Sequence, residues 1–142
     1  MNLQDIKELH KRILDNHTNS NHNVFMWTID KYLVESEQFM KELGYTLHAR
    51  IIWNKVTGVA PAFTVRYTCE YLLWFYKKGK ILMLDKDTRG KYPNIITEKV
   101  IRHSQKPVAA YEMLEDMFKS ANKLELFARN YRENWDCWGN EV

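Results

Sequence analysis

The chain has 142 residues, with 21 Lys and Arg against 18 Asp and Glu, so its net charge is +3 with neutral histidine. That is the length of one ordinary domain, with a mildly basic, well-mixed balance unlike a polybasic tail. A hydrophobic share of 45%, with only 5 Gly and 3 Pro, excludes disordered and collagen-like classes.

The longest unbroken apolar run, Tyr71 to Tyr76, is far too short to span a membrane. Met1 to Lys7 has no apolar signal core. Cys69 and Cys137 show neither zinc spacing nor a disulfide framework. The expectation is a reduced, cytoplasmic chain with no metal site and no membrane partner.

In chain order, Leu3, Ile6, Leu9, Ile13 and Leu14 recur at helical spacing over 3–14. His17 to Asn23 has loop composition. Val24 to Ile29 reads as a short buried strand. Asp30 is placed to cap a helix over 31–43, with Leu33, Phe39, Met40 and Leu43 inward and Gly44 as its stop. Leu47, Ala49, Ile51 and Trp53 alternate with His48, Arg50, Ile52 and Asn54, which predicts a second strand. Residues 56–68, with Gly58 and Pro61, read as a loop, and 70–77 as a third strand. Residues 79–101 read as a surface excursion. Pro107 opens a helix to about 119, since the N–H that proline lacks has no intrahelical partner in the first turn. A last strand is predicted over 124–129, before a polar, aromatic-ended tail.

Strands alternating with helices predict an α/β fold with a largely parallel sheet, in which ligands bind at the carboxyl ends of strands. That directs attention to Asp30, Asn54, Lys55 and the run Arg129-Asn130-Tyr131-Arg132. Three segments carry candidate chemistry. Arg102-His103-Ser104-Gln105-Lys106-Pro107 precedes a helix, whose N-terminus suits a carboxylate or phosphate. Leu124 to Arg132 leads apolar residues into Arg, Asn and Arg, and Trp135 to Glu141 ends in Asn and Glu, which can bind ribose hydroxyls or an amine. Arg50 to Lys55 offers a Trp and a Lys at a strand end, and Glu70 is a lone acid ahead of an apolar run. Each has a plain structural reading beside it: a solvated helix start, a buried strand with a basic end, a core tryptophan. Histidines 10, 17, 22, 48 and 103 show no ligand spacing, and no Gly-rich phosphate loop is present.

Taken in order, several pieces resemble one family. They are Phe25-Met26-Trp27, Leu43-Gly44-Tyr45, Ile52-Trp53-Asn54-Lys55, Glu70-Tyr71-Leu72-Leu73, His103-Ser104-Gln105-Lys106-Pro107, Leu124-Glu125-Leu126-Phe127-Ala128-Arg129 and Trp135-Asp136-Cys137-Trp138-Gly139-Asn140-Glu141. The chain resembles the adenine-N6 methyltransferases related to the messenger-RNA adenosine methylase, with many phage and bacterial DNA-modifying members. The resemblance implies a Rossmann-like methyltransferase sheet with helices on both faces, binding S-adenosylmethionine and acting on DNA or RNA. It implies that Lys106 meets the methionine carboxylate. Arg129, Asn130 and Tyr131 would lie near the ribose, and Asn140 and Glu141 near the adenine moiety. Trp53, Lys55, Glu70 and His103 would lie on the substrate side. A phage-encoded member would work in the host cytoplasm.

One departure stands against the resemblance. The family's catalytic signature is Asp-Pro-Pro-Trp or a variant such as Asn-Pro-Pro-Tyr, whose acid or amide accepts a hydrogen bond from the target amine and whose ring stacks on the flipped base. The prolines here are Pro61, Pro93 and Pro107, none adjacent, so no catalytic residue is assigned. On the family pattern the chain begins just downstream of the signature. The strand carrying it would lie between the strands at 124–129 and 24–29, and its loss would leave two unpaired edges. Each buried unpaired backbone group costs roughly 1–3 kcal/mol. The edges close on each other, or a second chain or second copy supplies a strand, or the true protein is longer.

Two function classes follow. One is the cofactor-binding part of an adenine-N6 methyltransferase, inactive alone. The other is a catalytically inactive nucleic-acid- or protein-binding module of the same descent, using Arg50, Lys55, Arg66, Lys77, Lys78, Lys80, Arg102, Lys106, Arg129 and Arg132. A gene remnant without independent activity is the blandest alternative.

Overall fold

The computed structural model describes residues 8–9, 11–12, 21–58, 63–102, 105–126 and 132–138. The chain divides into two compact units, Met1–Met83 with Pro93–Lys99, and Leu84–Tyr92 with Val100–Val142. Residues 8–9 and 11–12 are helical, as the spacing over 3–14 predicts, and Leu9 is buried. Among the described residues, no helix is long and apolar enough to cross a membrane.

The first unit is built on four strands: β1 (Asn23–Thr28), β2 (Thr46–Asn54), β3 (Cys69–Tyr76) and β4 (Ile95–Thr97). Their order is β1-β3-β2-β4. β3 is antiparallel to both neighbours, and only β2 and β4 pair in parallel. The expected largely parallel sheet is therefore corrected to a mixed one. The reason lies in the connections. β1 reaches β2 through a helix, α1 (Leu33–Glu42), and these two strands run the same way with β3 inserted between them. The described residues between β2 and β3 contain no helix, so β3 returns antiparallel.

β3 is the central strand of this arrangement, which explains its composition. Leu72, Leu73, Trp74 and Phe75 are all buried because both faces of the strand are covered. On one face, Leu73 and Phe75 pack with Met40 of α1 and with Tyr45, joined by Val24, Met26, Leu33, Phe39, Leu43 and Leu47. On the other, the Trp74 ring lies 5.2 Å from Phe25 and 4.3 Å from His48, centroid to centroid. The alternation predicted for β2 is present, with a register shift between Leu47 and Ala49 that makes His48 a bulge residue.

α1 follows a 3-10 turn, Asp30–Tyr32, and no side-chain hydrogen bond caps either start. Asp30 is thus not the cap that its position suggested; the Tyr32 N–H is satisfied by the Ile29 carbonyl at 3.0 Å instead. The other end matches expectation. Gly44 has φ +90°, its N–H donates to Lys41 O at 3.0 Å, and the Tyr45 N–H donates to Met40 O at 3.0 Å. These two bonds satisfy the last carbonyls and turn the chain into β2.

The second unit holds α2 (Val108–Met117), β5 (Lys123–Leu126) and β6 (Trp135–Trp138). Pro107 is the N-cap of α2, as predicted, and Ala110, Met113 and Met117 form its buried stripe. β5 and β6 pair in parallel. Residues 127–129 of the strand expected over 124–129 lie outside the described residues. Two strands were not foreseen: β4, inside the expected excursion, and β6, in the expected tail.

Replacing Phe75, which is 1% exposed, with Ala should cost about 3–5 kcal/mol, and Met40→Ala about 2–5 kcal/mol. Urea unfolding should show the midpoint falling at unchanged slope; a loss below 1 kcal/mol in both would displace these residues from the core.

Candidate functional site

The carboxyl ends of β1 and β2 and the start of β3 lie at the same end of the sheet, since Thr28 pairs with Tyr71, and Asn54 with Cys69. Three of the sequence-derived residues meet there. Trp53 is 2% exposed, donates its indole N–H to the Glu98 carbonyl at 2.8 Å, and meets Trp27 edge to face at 5.8 Å. It is a core ring, fixed by β4's exit, rather than an open stacking platform. Lys55 lies one residue beyond β2 and its ammonium is 3.3 Å from the Glu70 carboxylate. The Lys55 N–H also donates to Thr68 O at 2.7 Å, so the strand ladder continues one step past β2. Glu70, a lone acid in the sequence, is therefore half of an ion pair at the strand end.

The loop leaving this pair is held tightly. Asn54 Oδ1 accepts from the Val56 N–H at 2.9 Å, and Val56 has φ +71°. A β-branched residue in that region is strained, and the Asn54 side chain holds it there. At Gly58 an added Cβ would sit 2.1 Å from the Tyr67 carbonyl oxygen, so no larger residue fits the backbone crossing. At the same end, Tyr71's phenol is raised above its ordinary value, first by burial and then by Cys69 and Asp30. Thr28 is buried, with its hydroxyl 2.9 Å from that of Ser36.

Lys106 belongs to the second unit, one residue before the N-cap of α2. Its position combines a cation with a helix N-terminus, a donor set that suits a carboxylate. His103, Arg129, Asn130, Tyr131, Asn140 and Glu141 lie outside the described residues.

Arg132, a candidate for ligand contact in the sequence, is engaged within the protein. Its Nε and Nη2 donate to the two oxygens of Glu115 at 2.7 and 2.8 Å. Trp135 Nε1 donates to the same carboxylate at 2.8 Å. The guanidinium lies 5.0 Å from the Tyr111 ring centroid, and Tyr111 donates to Glu125 at 2.6 Å. The Arg132 bonds, with help from Trp135, hold the Glu115 carboxyl at about 2. This cluster pins the segment entering β6 onto α2. It was not foreseen, although Tyr111 and Glu115 share one helix face by their spacing of four. An open depression of about 860 Å³ adjoins it, lined by Lys119, Lys123, Asn134 and neighbours. Its cations already have partners: Lys123 donates to the Phe118 and Ala121 carbonyls, and Lys119 pairs with Asp87 and Asp116. Among the described residues, no three His, Cys, Asp or Glu groups converge as a metal site.

A mixed sheet with two helices is compatible with a methyltransferase-like α/β fold. The family described as MT-A70 matches residues 1–141, and the chain belongs to it. It is 31% identical over 140 residues to the type II methyltransferase M.MunI of Mycoplasma sp, covering 96% of this chain and 58% of that protein. It is 28% identical over 125 residues to an N(6)-adenosine-methyltransferase MT-A70-like protein of Arabidopsis thaliana, covering 84% of this chain and 18% of that protein. The chain thus spans little more than half the length of the first relative and far less of the second.

Two outcomes check this geometry. Gly58→Ala should destabilise by more than about 1 kcal/mol, because the backbone must move to admit the Cβ; unchanged thermal unfolding would contradict the crossing. Glu115 has a folded pKa of about 2 against an ordinary 4.5, so its stabilisation is present above 4.5 and is lost as pH falls through 2. Glu115→Gln should lower stability at neutral pH and flatten its decline between those values. Acid unfolding curves that superimpose would remove the role given to this cluster.

Proposed function

We propose that the chain is the cofactor-binding part of an S-adenosylmethionine-dependent adenine-N6 methyltransferase acting on DNA or RNA. On this reading, catalysis requires an Asp-Pro-Pro-Trp segment supplied by a partner chain, a second copy or an upstream stretch of the same protein. The observation that carries it is the family match over residues 1–141 in a sequence without adjacent prolines. By the resemblance, Lys106 and the run from Arg129 to Glu141 match the cofactor half of the family pattern, while the catalytic signature is absent from this sequence.

The sheet supports the same division. β1 pairs with β3 along one edge, and among the described residues no strand pairs with its other edge. Its sequence, Asn-Val-Phe-Met-Trp-Thr, carries no charge to discourage an added strand. β5 and β6 form a separate two-stranded sheet. An incoming strand bearing the signature has a ready edge to pair with.

Each residue then has a task. Lys106 would hold the methionine carboxylate by charge. Arg129, Asn130 and Tyr131 would hold the ribose, and Asn140 and Glu141 the adenine moiety. S-adenosylmethionine supplies an activated methyl group. The Lys55–Glu70 pair would flank the target base on the substrate side, the side to which the resemblance also assigns His103. The buried Trp53 would hold the end of β2 in place rather than stack on the base. Positioning and exclusion of water, rather than a strong base, would drive transfer to the exocyclic amine.

A calorimetric titration of the purified chain with S-adenosylmethionine tests this. Binding is expected, weakened at least tenfold by Lys106→Ala, with no methyl transfer until the missing segment is added. A folded chain that does not bind the cofactor would leave an inactive nucleic-acid- or protein-binding module as the better account.

A further inference from the structure

We propose that the turn Lys77-Lys78-Gly79-Lys80 is a contact for nucleic-acid phosphates, at the end of the sheet opposite the Lys55–Glu70 pair. This rests on the nucleic-acid reading above and adds a second, remote anchor to it. β3 ends at Tyr76, which pairs with Asn23 at the start of β1 and with Thr46 at the start of β2. The turn therefore projects from the middle of the sheet, where three strands present the ends away from the carboxyl termini of β1 and β2.

The turn is built rather than loose. Lys80 N–H donates to Lys77 O at 2.9 Å, and Gly79 takes φ +76°, which closes a four-residue turn that needs glycine at its third position. The His22 N–H donates to Lys80 O at 3.1 Å. The Asn23 side chain donates to Leu82 O at 2.8 Å and accepts from Leu82 N–H at 3.2 Å. The Lys77 ammonium lies 5.2 Å from the Tyr45 ring centroid, and the Tyr45 hydroxyl is 2.7 Å from His22 Nε2. A surface run of lysines kept only for solubility does not need such fixing.

Lys55, Lys91 and Lys119 each face a carboxylate. Among the described residues, no carboxylate pairs with Lys77, Lys78 or Lys80, and Lys78 and Lys80 are exposed. Glu42, near this end in the chain, accepts instead from Gln38 at 3.4 Å. Three like charges in four residues repel one another, and a phosphate chain relieves that repulsion while releasing counterions. The distance is also suitable. Glu70 to Tyr76 is six residue steps, about 20 Å at about 3.3 Å each. That equals about six base pairs at about 3.4 Å per pair. A nucleic acid with its target base at the Lys55–Glu70 end would reach this turn within one helical turn.

The test is salt-dependent binding of the 142-residue chain to mixed-sequence duplex DNA and single-stranded RNA, each of about 20 nucleotides, followed by anisotropy. Replacing Lys77, Lys78 and Lys80 with Gln should flatten the slope of log affinity against log salt by about two to three for duplex DNA. Lys78→Gln with Lys80→Gln alone, which leaves the Lys77–Tyr45 contact intact, should flatten it by about two. Lys86→Gln with Arg89→Gln should leave the slope near its original value, and cofactor titration should be unchanged in all three variants. A wild-type slope in the triple variant, or an equal loss in the control, overturns the proposal while leaving nucleic-acid binding standing. Failure of the unaltered chain to bind either nucleic acid at low salt overturns both.

Discussion

The first unit depends on β3 being the shared neighbour of β1 and β2. A strand flanked on both edges and covered on both faces has to be apolar almost throughout, and Leu72 to Phe75 meet that demand. Its fixed register then sets everything that stands at its ends. Pairing Asn54 with Cys69 brings Lys55 beside Glu70 at one end. Pairing Tyr76 with both Asn23 and Thr46 fixes the lysine turn at the other. A slip of one residue would reverse the faces of Leu73 and Phe75 and remove them from Met40 and Tyr45. The core thus holds the side chains at both ends in place.

What the sequence shows and what it hides follow from the range of the interactions. α1, its glycine stop, α2 behind Pro107 and the alternation of β2 are local patterns, and each is visible in a few consecutive residues. The direction of β3 is not local. Its composition is that of any buried strand, and only the connection before it, whose described residues hold no helix, indicates a return rather than a crossover. β4 has three residues, too few for any period to show. At the site, Lys55 and Glu70 are legible as strand-end residues, but their pairing depends on register. Trp53 is visible as an aromatic at a strand end, while the carbonyl of Glu98 that fixes it comes from a segment 45 residues away. The family match was legible from scattered short motifs because they occur in order along the chain.

The absent signature and the described geometry agree in one respect. On the proposed reading, the groups that would hold and place ligands are separable from the group that would complete the chemistry. Lys106 stands at the start of a helix with its own buried stripe, and the Lys55–Glu70 pair stands on a sheet with its own core. Neither arrangement takes any residue from a Pro-Pro segment. A protein organised in this way would keep these two arrangements if, as proposed, the catalytic segment is carried elsewhere.

The Glu115 cluster has a consequence for how such a sequence can change over generations. One carboxylate serves both Arg132 and Trp135, while the Arg132 guanidinium also covers Tyr111. Loss of Glu115 would leave a guanidinium and an indole without their acceptor, and loss of Arg132 would leave a partly enclosed anion. The order of substitution therefore matters: a first change at either position is penalised until the second arrives, so the two positions are energetically coupled. Replacing Trp135 would leave the Arg132–Glu115 fork but remove its edge-to-face contact with Tyr111 at 5.5 Å.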